Sequence, residues 1–237
     1  MDIEFTPTAR RVGIFSAAAT LILLVAYAIT LAVGLASLES PQEQIGDPMF
    51  SILEVRIIVM MPAVVSLMAA VHAWAPPQAK TLSLISVVFM GMLAGLTCCL
   101  HFVVLTLSRQ TAFGGQPWLP LFMSFKWPSV VYALDILGWD VFFALSMLFA
   151  APVFRGNRLA ASIRALMIAS GVLSLAGLSG VVLGDMRFRN IGIVGYVGVF
   201  LGVVAMLLIL FDKASPITAP AGERTVSRAS SVVIRSD

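Results

Sequence analysis

The feature that most constrains this chain is its series of long, unbroken apolar runs. A window of about 19 residues finds six of them, at 13–37, 52–74, 82–107, 130–153, 160–183 and 190–211. Each is 22 to 26 residues long, and a hydrocarbon core about 30 Å thick needs roughly 20 helical residues to cross it. The runs are continuous rather than alternating, which is the pattern of membrane helices and not of lipid-facing strands. The expected fold is therefore all-α, a polytopic integral membrane protein made of six transmembrane helices. The first run is far longer than the roughly 7–15 apolar residues of a signal sequence, so it reads as a helix that stays in place. Residues 1–211 then form one transmembrane domain. Residues 212–237, rich in Ser, Ala and Pro and basic, read as a disordered cytoplasmic tail.

Only 11% of the residues are charged, so the position of each charge carries information. With the N-terminus inside, ten of the fifteen Lys and Arg residues fall on the inner side: Arg10, Arg11, Lys80, Arg155, Arg158, Arg164, Lys213, Arg224, Arg228 and Arg235. Arg56, Arg109, Lys126, Arg187 and Arg189 fall on the outer side. The excess of inner basic residues predicts cytoplasmic N- and C-termini in a cell membrane. It also accounts for the net charge of +3 without nucleic acid. The first outer loop is acidic, through Glu39, Glu43 and Asp47.

The fourth run, "ALDILGWDVFFALSMLFA", carries Asp135 and Asp140. An Asp at a helix centre costs about 2.5–3.5 kcal/mol of insertion energy, while each Leu, Ile, Phe or Val returns about 0.3–0.6 kcal/mol. Twelve such apolar residues in the run give roughly 4–7 kcal/mol against a loss of about 5–7 kcal/mol. The two acids must therefore be protonated, paired or turned to a wet interior. At a rise of about 1.5 Å per residue, Asp135 lies five residues below the outer end of its helix and Asp140 ten. His101 of the third run comes out level with Asp135. On an ideal α-helix, positions five apart differ by about 140°, so the two acids are expected to face different gaps. Asp135 would pair with His101 or an outer arginine, and Asp140 would act alone.

Further candidates gather near the same outer end: Glu54 and Arg56 in the second run, Trp139 in the fourth, and Asp185, Arg187 and Arg189 between the fifth and sixth. The outer loop "RQTAFGGQPWLPLFMSFKWPS" holds Phe113, Trp118, Phe122, Phe125 and Trp127 among three prolines, which suits a short helix at the membrane boundary. Gly177, Gly180 and Gly184 in the fifth run match Gly195, Gly198 and Gly202 in the sixth, and predict a close antiparallel hairpin. Gly91 and Gly95 offer a further small-residue pair in the third. Cys98 and Cys99 are adjacent within a helix and serve as small apolar residues. With His101 they do not make a four-ligand pattern, so no metal is expected. The chain has no phosphate loop, dinucleotide fingerprint or zinc-helix motif, and no cofactor is expected.

Charged groups near one leaflet, with few polar side chains beyond them, favour a one-sided pocket over a through-path. The leading expectation is a pocket in the outer leaflet for an amphiphilic or lipid-like molecule. Arg187 and Arg189 would meet its polar head. Asp140 as acid, with His101 as base and Asp135 beside them, would be the groups for any acid–base chemistry on it. The alternatives are a proton-coupled small-solute transporter using Asp140 and His101, and a non-catalytic assembly or sensory subunit whose charges pair with another membrane protein.

Overall fold

The computed structural model describes residues 5–39 and 45–215. Pro41 and Glu43 of the first loop, and the basic tail with Arg224, Arg228 and Arg235, lie outside the described residues. Among those described there is no strand, and six helices are long and apolar enough to cross a membrane. They are α1 (Pro7–Ala36), α2 (Met49–Trp74), α3 (Pro77–Leu107), α4 (Val130–Val153), α5 (Arg158–Leu183) and α6 (Met186–Lys213). The helices outrun the apolar stretches at several ends because polar caps prolong them. The Thr6 side chain accepts from the Ala9 N–H with Pro7 at the first position, Ser129 accepts from Tyr132, and Asn157 accepts from Ala160. At the far end of α2, Lys80 Nζ donates to the His72 and Ala73 carbonyls, which closes that terminus. α6 runs on through Asp212 and Lys213, two residues into what composition alone reads as tail.

Each helix packs on its chain neighbours, and α6 returns to α1, so the six form a closed ring. The half of the ring nearest Pro7 is filled. Met61, Leu67 and Met68 of α2 meet Met90 of α3, Phe143 and Met147 of α4, Met167 of α5, and Val203 and Phe211 of α6, all almost fully buried. The half nearest Ala36 is not filled in this way, and the ionisable side chains collect there.

Two helices widen locally into π turns, at Leu137–Phe143 in α4 and Val194–Val199 in α6. The two segments touch through Trp139 and Tyr196, whose ring centroids are 5.1 Å apart. A π turn leaves carbonyls without their usual i+4 donor. The Gly195 carbonyl is taken by Ser170 Oγ of α5 at 2.9 Å, the kind of side-chain rescue a membrane interior requires.

The glycine pattern is only partly used. A Cβ on Gly195 would stand 2.8 Å from the Ser170 carbonyl, and one on Gly177 would stand 3.0 Å from the Gly192 Cα. α5 and α6 therefore do meet closely. Gly198 and Gly202, however, face only ordinary contacts at 3.9 and 3.4 Å, and Gly91 and Gly95 face nothing within 4 Å. The close approach is shared by Gly177 and Gly195 of the triplets and by Gly192, a position outside them. Gly184 serves differently: its φ of +68° lets the chain turn from α5 into α6.

Candidate functional site

Five buried ionisable side chains meet in the Ala36 half: Glu54, His101, Asp135, Asp140 and Arg189. His101 Nδ1 is 2.8 Å from Glu54 Oε2, and its Nε2 is 3.7 Å from Asp135 Oδ1. Arg189 donates from Nη2 to Asp135 Oδ2 at 2.7 Å, from Nε to Asp140 Oδ2 at 3.4 Å, and from Nη1 to the Tyr132 hydroxyl at 3.1 Å. One chain of contacts thus runs from α2 through α3 and α4 to α6. The Phe125 ring, from the loop before α4, stacks on the His101 imidazole at 4.9 Å.

This arrangement corrects the expected separation of the two acids. Asp135 and Asp140 share one guanidinium rather than facing different gaps. The π turn between them is the reason, because a turn closed by i→i+5 bonds brings the fifth residue back towards the first. Asp140 also has the cation it was expected to lack. Arg189 sits in the first turn of α6 and its side chain extends along the helix to the carboxylate. Asp140 lies level with Gly192, since its Oδ1 would be 2.5 Å from a Cβ at that position. Glycine at 192 and 177 makes the slot that the carboxylate occupies. Oδ1 has no hydrogen-bond partner there, and neither has His101 Nε2.

Beside this cluster lies a cavity of about 590 Å³. α1, α2, α3, α4 and α6 enclose it, while α5 stands behind α4 and α6. Leu31, Leu53 and Ile57 give it apolar walls. Leu24, Met60, Trp139, Tyr196 and Val197 close its deep end with apolar and aromatic side chains, and Glu54, His101, Asp135 and Arg189 set a charged patch into its wall nearer the Ala36 end. All three tyrosines of the chain, Tyr27, Tyr132 and Tyr196, line it. A one-turn helix, Leu119–Met123, lies across its rim. Leu119, Pro120 and Met123 face the cavity, whereas Leu121 and Phe122 are exposed.

Of the residues singled out in the sequence, Glu54, His101, Asp135, Trp139 and Arg189 border this space. Asp140 does not. It is fully buried behind Arg189, so it braces the guanidinium instead of reaching into the cavity. Arg187 also falls outside: it turns to the exterior, where it forms a two-pronged pair with Asp185. The hydrogen bonds from Arg187 hold the Asp185 carboxyl below the ordinary carboxylate range. Arg56 points to α1, donating to the Ala26 carbonyl at 2.5 Å and to the Thr30 hydroxyl. It ties two helices together. Among the described residues no three His, Cys, Asp or Glu side chains are placed to hold a metal ion.

Sequence reasoning missed the tyrosines. Their signal was present, because all three lie within apolar runs, where a phenol must find a partner or a cavity. Comparison with known proteins adds nothing to this geometry: no family model, no curated protein and no solved structure matches the chain.

Proposed function

We propose that this chain is a multi-pass protein of the cell membrane whose cavity binds an amphiphilic small molecule. The apolar portion would lie along α1 and α2, and the polar head would meet Glu54, His101, Asp135 and Arg189. One observation carries the reading: a single space joins apolar walls to a buried charged patch. Its volume of about 590 Å³ falls within the roughly 300–1,000 Å³ typical of small-molecule sites. The distribution of basic residues supports cytoplasmic termini and a cavity in the outer leaflet. With Arg189 and Arg56 engaged inside the bundle, Arg109, Lys126 and Arg187 are the outer cations left outside it against the inner set.

The test is thermal unfolding of the purified full-length protein in a nonionic detergent, titrated with single-chain amphiphiles. A ligand at a hundred times its Kd adds about 2.7 kcal/mol, or about 5–10 °C for a chain of this size. Leu31→Trp, which fills the cavity from α1, should abolish the shift. If no amphiphile raises the midpoint, or if Leu31→Trp responds as the wild type does, the reading is wrong.

A further inference from the structure

We infer that the head of the amphiphile is cationic, an ammonium or quaternary ammonium group; this rests on the cavity-binding reading above and gives its ligand a chemical class. The first argument is a count of charge. The cluster holds three carboxylates, Glu54, Asp135 and Asp140, against one guanidinium, Arg189. With all three carboxylates ionised and His101 neutral it carries an excess of two negative charges; protonating His101 and Asp140 brings it to neutrality, and in none of these states is it net positive. No other Lys or Arg borders the cavity among the described residues. A cation entering the cavity relieves any such negative excess, whereas an anion adds to it.

The second argument is geometric. Among the described residues Arg189 is the one permanent cation at the cavity, and three of its five N–H donors are already engaged. Two carboxylates and the Tyr132 hydroxyl take its Nη2, Nε and Nη1 donors. An anionic head would be left with the two remaining N–H groups and would lie against the buried carboxylates of Glu54 and Asp135. A cationic head meets Glu54 and Asp135, which both border the space and whose carboxylates can accept further donors beyond His101 and Arg189.

The third argument comes from the walls. Tyr27, Phe50, Phe125, Tyr132, Trp139 and Tyr196 all border the cavity. Aromatic faces attract alkylated ammonium groups through the ring quadrupole, and do so most strongly where water is excluded. The protein uses the same attraction internally, since the Arg189 guanidinium lies 4.6 Å from the centroid of the Tyr132 ring. The Tyr27 and Tyr196 hydroxyls make no hydrogen bond to a described residue and are not sealed from the cavity. They remain free to accept from an N–H donor.

The experiment compares three amphiphiles of one chain length, bearing a trimethylammonium, a hydroxyl or a carboxylate head, on the full-length protein in nonionic detergent. Affinity is read from quenching of tryptophan fluorescence and from the unfolding midpoint. The ammonium compound should bind at least tenfold more tightly than either of the others. Glu54→Gln should remove most of that preference and leave the affinity for the alcohol unchanged. Tyr27→Leu keeps every charge and should weaken the ammonium compound about three- to thirtyfold, so it decides the matter if Glu54→Gln does not fold. Tighter binding of the carboxylate or the alcohol overturns the cationic head but leaves the cavity reading standing. Absence of binding by all three overturns both. Ammonium binding that Tyr27→Leu and Leu31→Trp leave unchanged places the compound elsewhere, and also overturns the inference.

Discussion

Asp135 and Asp140 lie five residues apart on one helix, and both contact the guanidinium of Arg189, at 2.7 and 3.4 Å. The two contacts differ in what they offer a ligand. Asp135 stands at the cavity surface and also approaches His101, whereas Asp140 is sealed beneath the arginine with one oxygen unpartnered. The deeper acid fixes the guanidinium and the shallower one presents charge to the cavity. Their common cation also joins α4 to α6 across the gap that α5 closes from behind.

Removing the arginine should therefore cost more than removing any surface charge. Arg189→Gln leaves two buried carboxylates without a cation, and breaking a buried pair in this way costs about 3–5 kcal/mol. For a chain of this length that corresponds to a fall of about 6–20 °C in the unfolding midpoint. Arg189→Lys keeps the charge but cannot direct separate donors to both acids, so it should recover part of the loss. A fall of less than about 2 °C in Arg189→Gln would mean that the cluster does not hold the helices together.

The slot for Asp140 yields a contrast between glycines. A Cβ at position 192 would meet Asp140 Oδ1 at 2.5 Å and the Gly177 Cα at 3.3 Å, so Gly192→Ala must push the carboxylate or separate α5 from α6. Overpacking of this kind costs about 1–3 kcal/mol. Gly198→Ala meets only Val194 at 3.9 Å, and should be neutral or stabilising by up to about 1 kcal/mol through the helix preference of alanine. Differential unfolding of the two variants checks the pair. Equal midpoints would contradict the close approach of α5 and α6 at Gly192.

These two relationships mark where the sequence was legible and where it was not. The six helices follow from hydropathy, since a run long enough to cross a bilayer leaves few alternatives. The gathering of charge towards one end follows from counting residues along each run. The azimuth of Asp140 does not, because the π turn in α4 that rotates it packs through Trp139 on Tyr196 of the second π turn in α6, and the backbone of that second turn is in turn satisfied by Ser170 of α5 at Gly195. For the same reason a three-and-four spacing rule selected Gly198 and Gly202 and passed over Gly192. Arg187 and Arg189 looked equivalent in sequence. Only the one-turn 3-10 segment Met186–Arg189 sends the first outwards and the second inwards.

A titration at the rim separates surface from buried electrostatics. Arg109, just past the end of α3, donates to Asp47 at 2.9 Å and to Ser51 at 2.6 Å, joining the start of α2 to the end of α3. The hydrogen bond from Ser51, followed by that from Arg109, holds the Asp47 carboxyl below its ordinary range. A carboxyl lowered in the folded state contributes stability above its unfolded pKa of about 3.9, and loses it as the pH falls through the folded value. The unfolding midpoint of Asp47→Asn should thus lie slightly below that of the wild type at pH 7 and converge with it below about pH 4. Added salt should shrink the gap, because the pair is exposed. A gap that is constant from neutral pH to below about pH 4 would show that ionisation of Asp47 is not its source.

The orientation decides which compartment supplies the ligand, and labelling can read it directly. Gln116, in the loop beside the cavity rim, and Pro77, at the opposite end of the bundle, are both exposed. In a background with Cys98 and Cys99 replaced by alanine, a membrane-impermeant maleimide should label Gln116→Cys in intact cells. It should label Pro77→Cys only after the cells are opened. That outcome follows from the excess of basic residues at the Pro77 end, and places the cavity mouth outside. The opposite pattern would turn the mouth towards the cytoplasm, where Arg109, Lys126 and Arg187 would then have to outweigh Arg10, Arg11, Lys80, Arg155, Arg158, Arg164 and Lys213. An amphiphile reaching the cavity would in that case come from the cytoplasmic leaflet.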